Sequence, residues 1–185
     1  MIEKVIKNRR AVFPRQYNDK PITKEQIEKI LEAANWAPSH RRTEPWRFKV
    51  VQEEKLTELG NFLSEKYKET VKKFSERKYK GIAEKCERSS CVILICMQRD
   101  LKERVPEWEE IAATAMAVQN MWLMAAEMKI GSYWSSPTNL IKKMGEFVDL
   151  AEGEQCLGIF YMGNYDTELP EGTRETSIEE KVEWL

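Results

Sequence analysis

The segment that most restricts the fold is the stretch from Glu109 to Met128. It reads as one long helix after Pro106, with Ile111, Ala112, Ala113, Ala115, Met116, Val118, Met121, Trp122, Leu123, Met124 and Ala125 spread around it. A helix without a polar face is buried on several sides. In a chain of 185 residues this calls for a core helix that also meets a partner subunit. Its alanines permit close approach of another helix. The rest of the chain must wrap this element. The expectation is a single α+β domain over residues 1–185, because helices and strands mix without strict alternation.

Strands are expected at Trp46–Val51, Cys91–Met97, Ser132–Pro137 and Gln155–Gly163. The run Val92-Ile93-Leu94-Ile95-Cys96-Met97 is continuously apolar and should be central. Thr23-Lys24-Glu25-Gln26 is a capping box opening a helix with Ile27, Ile30, Leu31 and Ala34 on its buried stripe. A short first helix covers Ile2 to Lys7. Glu53 to about Tyr79 reads as one polar helix with a sparse apolar stripe from Leu56 to Phe74. Gly131 reads as the stop of the long helix. Thr138 or Asn139 reads as the cap of a brief helix to Phe147.

Lys plus Arg number 30 and Asp plus Glu 31, so no positive excess points to nucleic acid. The longest apolar run is too short to span a bilayer, and the first residues carry no signal-like apolar block. A soluble cytoplasmic chain is the expectation. The four cysteines include no Cys-x-x-Cys, and His40 is the only histidine, so no structural zinc site is expected. Cys91, Cys96 and Cys156 read as small core residues on strands.

Three features carry possible chemistry. Arg9 and Arg10 are adjacent guanidinium groups that repel unless an anion or a carboxylate lies between them. A solvated surface pair is the competing reading. The loop from Trp36 to Trp46 gathers two Trp, two Pro, two Arg, one Glu and His40 within eleven positions. Tyr133-Trp134-Ser135-Ser136-Pro137, with Gly163-Asn164 after the last strand, places aromatic surface beside hydroxyls and backbone amides. Such surface suits a flat heteroaromatic ligand, and ordinary packing and turn chemistry is the alternative. No Gly-x-Gly-x-x-Gly, Walker loop or Gly-x-Ser-x-Gly is present.

Taken in order, Asn8-Arg9-Arg10-Ala11, Asp19-Lys20-Pro21-Ile22, Ile30-Leu31-Glu32-Ala33-Ala34-Asn35-Trp36-Ala37-Pro38-Ser39-His40 and Glu44-Pro45-Trp46-Arg47-Phe48 resemble the nitroreductase family. The likeness continues through Val105-Pro106-Glu107-Trp108-Glu109, Leu157–Gly163 and Ile178–Leu185. The His40 loop and the short length resemble its compact single-domain subgroup. The resemblance implies a mainly antiparallel sheet flanked by helices, with the long helix at a homodimer interface. It implies two FMN sites, each built from both chains, and an oxidoreductase that passes electrons from NADH or NADPH through FMN to a small-molecule acceptor. Nitroaromatics and quinones are the usual test acceptors.

Residue by residue, the resemblance implies that Arg9 ligates the FMN phosphate, with Arg10 and Ala11 alongside. Trp36, His40 and Arg42 fall on the loop that faces the flavin, and His40 is the candidate for proton transfer. Trp134, Ser135 and Ser136 fall on the segment passing the ring edge, and Gly163, Asn164 and Arg174 on a second phosphate-side contact. Several positions depart from the pattern, among them Glu44, where relatives have Gln, and Arg174, which stands one position out of register. Ala11 stands where Ser is usual, Phe13 where many members have a cation near flavin N1, and Arg42 where many have Asn. Arg15 and Arg42 are both candidates for the displaced charge. The departures also admit a second reading, a non-enzymatic dimeric module that binds or stores flavin.

Overall fold

The computed structural model describes residues 2–185. Four strands form one sheet: β1 (Trp46–Val51), β2 (Cys91–Gln98), β3 (Ile130–Ser135) and β4 (Glu154–Asn164), in the order β1-β2-β4-β3. Every neighbouring pair is antiparallel. Six helices flank it: α1 (Ile2–Asn8), α2 (Lys24–Asn35), α3 (Glu54–Thr70), α4 (Glu76–Glu87), α5 (Glu107–Glu127) and α6 (Thr138–Ile141). The α+β expectation holds, with the long helix in place.

Side-chain alternation sorts the strands onto two cores. Ile93, Ile95, Phe160 and Met162 face α2 and α5. Val92, Leu94, Cys96, Ile159 and Tyr161 face the α3–α4 hairpin. Since β2 is covered on both faces, its sequence shows no alternation and seven of its eight residues are buried. All four cysteines are free and buried, and burial pushes the Cys86 and Cys91 thiols up to about 12.

The capping box opens α2 as read, with Gln26 N–H donating to the Thr23 hydroxyl and Thr23 N–H to the Gln26 side chain. Three local readings are corrected. The expected helix from Glu53 to Tyr79 is two helices: Val71 turns extended, and the Ser75 hydroxyl caps a new helix by accepting from Lys78 N–H. The two pack as a hairpin at Gly60, where an added Cβ would lie 3.0 Å from the Ala83 carbonyl oxygen. Gly131 does not stop α5. Lys129 takes the left-handed turn (φ 56°), and Gly131 lies in β3. A Cβ at Gly131 would lie about 3 Å from Val12, Tyr17 and Tyr165. The brief helix is a single turn, α6, with Pro137 rather than Thr138 or Asn139 at its cap, followed by a 3-10 turn at Met144–Glu146.

Within α5, Ala113, Ala117, Val118, Met121 and Ala125 enter the core. Trp108, Ile111 and Met116 are exposed. Further along, Leu123 and Met124 join Ile2, Val5, Ala33 and Trp36 in an open apolar groove of about 540 Å³. Among the described residues no helix is long and apolar enough to cross a membrane.

Candidate functional site at the edge of the sheet

Strand β3 is an edge strand, and the chain after α1 runs along it. Val12 N–H donates to the Ser132 carbonyl at 3.0 Å. The Tyr17 hydroxyl secures this strip, lying 2.9 Å from the Val12 carbonyl and 3.1 Å from that of Tyr161. Burial raises the Tyr17 pKa, so the hydroxyl keeps its proton and remains a donor.

At the start of the strip stand Arg9 and Arg10. The Arg9 guanidinium lies 4.4 Å from the centre of the Trp122 ring on α5. Its pKa is lowered by burial, then by the nearby charges of Arg174 and Arg10. Among the described residues no carboxylate lies within ion-pair distance of any of the three. Arg10 donates to the carbonyls of Lys7, Arg9 and Pro170, which folds the tail back over α1. Gly172 passes against the Arg10 guanidinium, where an added Cβ would lie 2.4 Å from Nη2. This tail path brings the exposed Arg174 to Arg9. Arg9 thus has two cations as neighbours and an aromatic face behind it, the kind of arrangement that an anion would neutralise.

Beyond the cations the strip becomes aromatic. The rings of Phe13 and Tyr133 lie 4.6 Å apart, and Tyr133 stacks on Tyr161 at 6.1 Å. On the α5 side, Trp134 packs over Gly158, where an added Cβ would lie 2.0 Å from the indole nitrogen. The buried indole N–H groups of Trp122 and Trp134 and the buried Ser132 hydroxyl have no hydrogen-bond partner among the described residues. Buried polar groups are ordinarily paired. Of the three orphans, Trp122 lies under Arg9 and Ser132 lines one cavity with Arg10. Ser135 ends β3, and Ser136 is exposed on the loop to α6.

The remaining predicted residues lie elsewhere. Gly163 accommodates the Tyr17 ring, 2.4 Å from where its Cβ would be, and the Asn164 amide donates to the carbonyls of Lys20 and Pro21. Both therefore serve the Tyr17–Pro21 segment rather than the cation cluster. Trp36 is 77% exposed and donates its indole N–H to Glu32. His40 Nδ1 lies 2.5 Å from Glu109 at the first turn of α5. Arg41, Arg42 and Glu44 hold left-handed backbone (φ 52°, 54° and 43°), strain of the kind found at ligand-binding loops. This loop enters β1, the opposite edge of the sheet from β3. Glu109 and Trp122 are 13 residues apart on α5, about 20 Å at helical rise. Within one chain, His40 and Arg42 thus do not join Arg9, Ala11 and Ser135.

Trp122, Ser132 and Lys85 belong to the β3 edge and were not singled out from sequence. Lys85 on α4 lies 5.9 Å from the Tyr133 ring centre. In sequence, Trp122 is one apolar residue in an apolar helix, and Lys85 one lysine among many. Only the sheet order places them here.

Comparison with known proteins gives concordant results. The Nitroreductase family model matches residues 6–164. The chain is 31% identical over 183 residues to "Putative NAD(P)H nitroreductase YfhC" of Bacillus subtilis, covering 98% of this chain and 92% of that one. A crystal structure of a nitroreductase-like family protein from Bacillus cereus superposes with a TM-score of 0.83 at 29% identity, covering 100% of this chain and 96% of that one. A structure titled "putative nitroreductase in complex with fmn" from Desulfovibrio desulfuricans shares the fold at a TM-score of 0.76 and 22% identity, covering 98% of this chain and 94% of that one.

Proposed function

The chain belongs to the nitroreductase family, and on that footing we propose that it is an FMN-dependent NAD(P)H oxidoreductase acting on small, flat, electron-poor acceptors such as nitroaromatics or quinones. The observation that carries this reading is the unpaired cluster of Arg9, Arg10 and Arg174, continued by an aromatic strip with orphaned donors. An anionic group followed by a flat heteroaromatic ring fits that order of residues. Related solved structures hold FMN.

Arg9 and Arg174 would hold the phosphate. Arg10, already bonded to three carbonyls, adds its charge and fixes the tail that carries Arg174. Ala11 and Val12 supply the wall along the sugar-like chain, without the hydroxyl that Ser would give. Trp134, Ser135 and Ser136 would border the ring, where a backbone N–H at Ser135 or Ser136 orients it. FMN, when bound, supplies the hydride acceptance and donation. The protein excludes water and fixes the ring's position.

A second copy completes the site in this reading. The apolar groove of Ile2, Val5, Trp36, Leu123 and Met124 would be covered by the partner, and the partner's loop would bring His40 and Arg42 to the ring. His40 is then the group placed to move a proton to acceptor, with Glu109 fixing its ring. The strained loop favours this role, since its geometry is held without any contact to its own chain's β3 edge.

The tilted Phe13–Tyr133 ring pair favours a second reading, a dimeric module that binds or stores FMN without turning over. It puts an aromatic ring where a cation would favour reduction. The visible spectrum of the purified protein with FMN, before and after anaerobic NADH or NADPH, separates the two. Rapid bleaching of a bound flavin band supports the oxidoreductase. A bound flavin that resists both donors supports the storage module. Absence of binding removes both.

A further inference from the structure

We infer that Cys96 and Cys156 form a redox site, a dithiol on the sheet that peroxide converts reversibly to a cross-strand disulfide. The inference goes beyond the flavin reading and needs no bound ligand. The register of the sheet carries it. Cys96 of β2 and Cys156 of β4 are directly opposed. Both enter the core that faces the α3–α4 hairpin, so their side chains project from the same side of the sheet. Directly opposed residues of an antiparallel pair hold their Cα atoms about 4.5–5.5 Å apart. That lies within the roughly 4.4–6.8 Å that a disulfide spans.

A local irregularity brings the two together. Ile95 pairs with Gly158 and Cys96 with Cys156, so Leu157 is passed over. In an unbroken register Cys96 would oppose Leu157, and Cys156 would oppose Met97. The other two cysteines are out of reach. Cys91 enters the α2–α5 core on the opposite face. Cys86 lies on α4 and hydrogen-bonds Tyr161, whose partner on β2 is Val92. Val92 is about 13 Å along the strand from Cys96.

The surroundings give the two sulfurs different roles. The Cys156 thiol donates to the Gly158 carbonyl at 3.5 Å. Cys156 is also the one that reaches solvent, at 8% exposure against 0% for Cys96. A hydrogen bond from the Cys96 thiol lowers the pKa of Cys156 and raises that of Cys96. Lys49 favours the thiolate, and Glu154, its partner at 2.9 Å, opposes it. The thiolate is the nucleophile toward peroxide, so Cys156 reacts first. Its sulfur attacks one oxygen of hydrogen peroxide, the O–O bond breaks, and the departing hydroxide takes up the thiol proton as water. The Cys156 sulfenic acid is then attacked by the Cys96 sulfur; the S–O bond breaks, the S–S bond forms, and a second water leaves with the Cys96 proton. Two thiols and one peroxide give one disulfide and two waters, the sulfurs losing the two electrons that the peroxide gains. The bond ties together the two ends of the segment that carries α5, β3 and α6.

The test treats the folded full-length chain with a few equivalents of hydrogen peroxide, then alkylates it in denaturant with and without prior dithiothreitol, and maps the products by proteolysis and mass spectrometry. The free thiols should fall from four to two, with one linked peptide pair carrying Cys96 and Cys156, and return to four on reduction. With dimedone present, C96A should carry the label at Cys156, and C156A should leave Cys96 a thiol at the same dose. The wild-type result decides the proposal even if either variant fails to fold. Four thiols surviving peroxide, a link through Cys86 or Cys91 or between two chains, or unlinked sulfinic acids at Cys96 and Cys156 overturns it. A dimedone label at Cys96 in C156A overturns the order of attack.

Discussion

The two ends of α5 treat charge in opposite ways. Near its N-terminal end three basic side chains have carboxylate partners. Arg99 pairs with Glu110, which is 1% exposed; Arg104 pairs with Asp100; His40 meets Glu109. Glu110 also accepts from Asp100 N–H at 3.0 Å. Toward the C-terminal end, Arg9 lies on Trp122 with Arg10 and Arg174 as charged neighbours. Paired charges hold the helix to the sheet. A partly buried cation without a carboxylate has no such fastening role and is open to an anionic ligand.

The largest effect is expected at the fastening. Glu110→Ala leaves Arg99 and the Asp100 N–H without their shared acceptor and should lower folding stability more than any other change named here, measured by urea denaturation. FMN affinity of the folded fraction should stay near wild type, since α5's other end is untouched. A loss of affinity without loss of stability would erase the distinction between the two ends.

At the binding end the prediction is reversed. Arg9→Ala should weaken FMN by about 1.5–3 kcal/mol, the range for a charge-assisted hydrogen bond, while stability holds or rises as guanidinium repulsion is relieved. Isothermal titration and thermal melts check the two halves. Arg174→Ala, at an exposed position, should weaken FMN less than Arg9→Ala.

The smallest effect concerns pH. The Arg104 guanidinium holds the Asp100 carboxyl down at about 2, below its ordinary 3.8. A depressed pKa contributes stability that is present above about pH 4 and is lost as pH falls from there toward 2. Arg104→Gln should flatten that part of the acid-denaturation profile. An unchanged profile would remove Asp100–Arg104 from the fastening.

Much of this architecture was readable from residues alone. The continuous apolar run of β2 required cover on both faces, and Thr23 with Gln26 placed the start of α2. The adjacency of Arg9 and Arg10 already posed the question of an anion. What escaped the sequence was whatever depended on neighbours distant in the chain. The break at Val71 follows from the packing of Gly60 on Ala83, and Gly131 is needed for rings of Tyr17 and Tyr165 rather than for a helix stop. Arg174 comes near Arg9 on a tail that Arg10 holds at the Pro170 carbonyl. Trp122 and Lys85 come beside Arg9 and Tyr133 through the order β1-β2-β4-β3, which no local pattern encodes.

The most direct measurement compares FMN with riboflavin, which lacks only the phosphate, in the wild type and in Arg9→Ala. If the unpaired guanidinium groups are the anion site, the wild type binds FMN at least tenfold more tightly than riboflavin, and Arg9→Ala narrows that gap while leaving riboflavin affinity nearly unchanged. Equal affinity of the wild type for the two ligands would contradict the assignment.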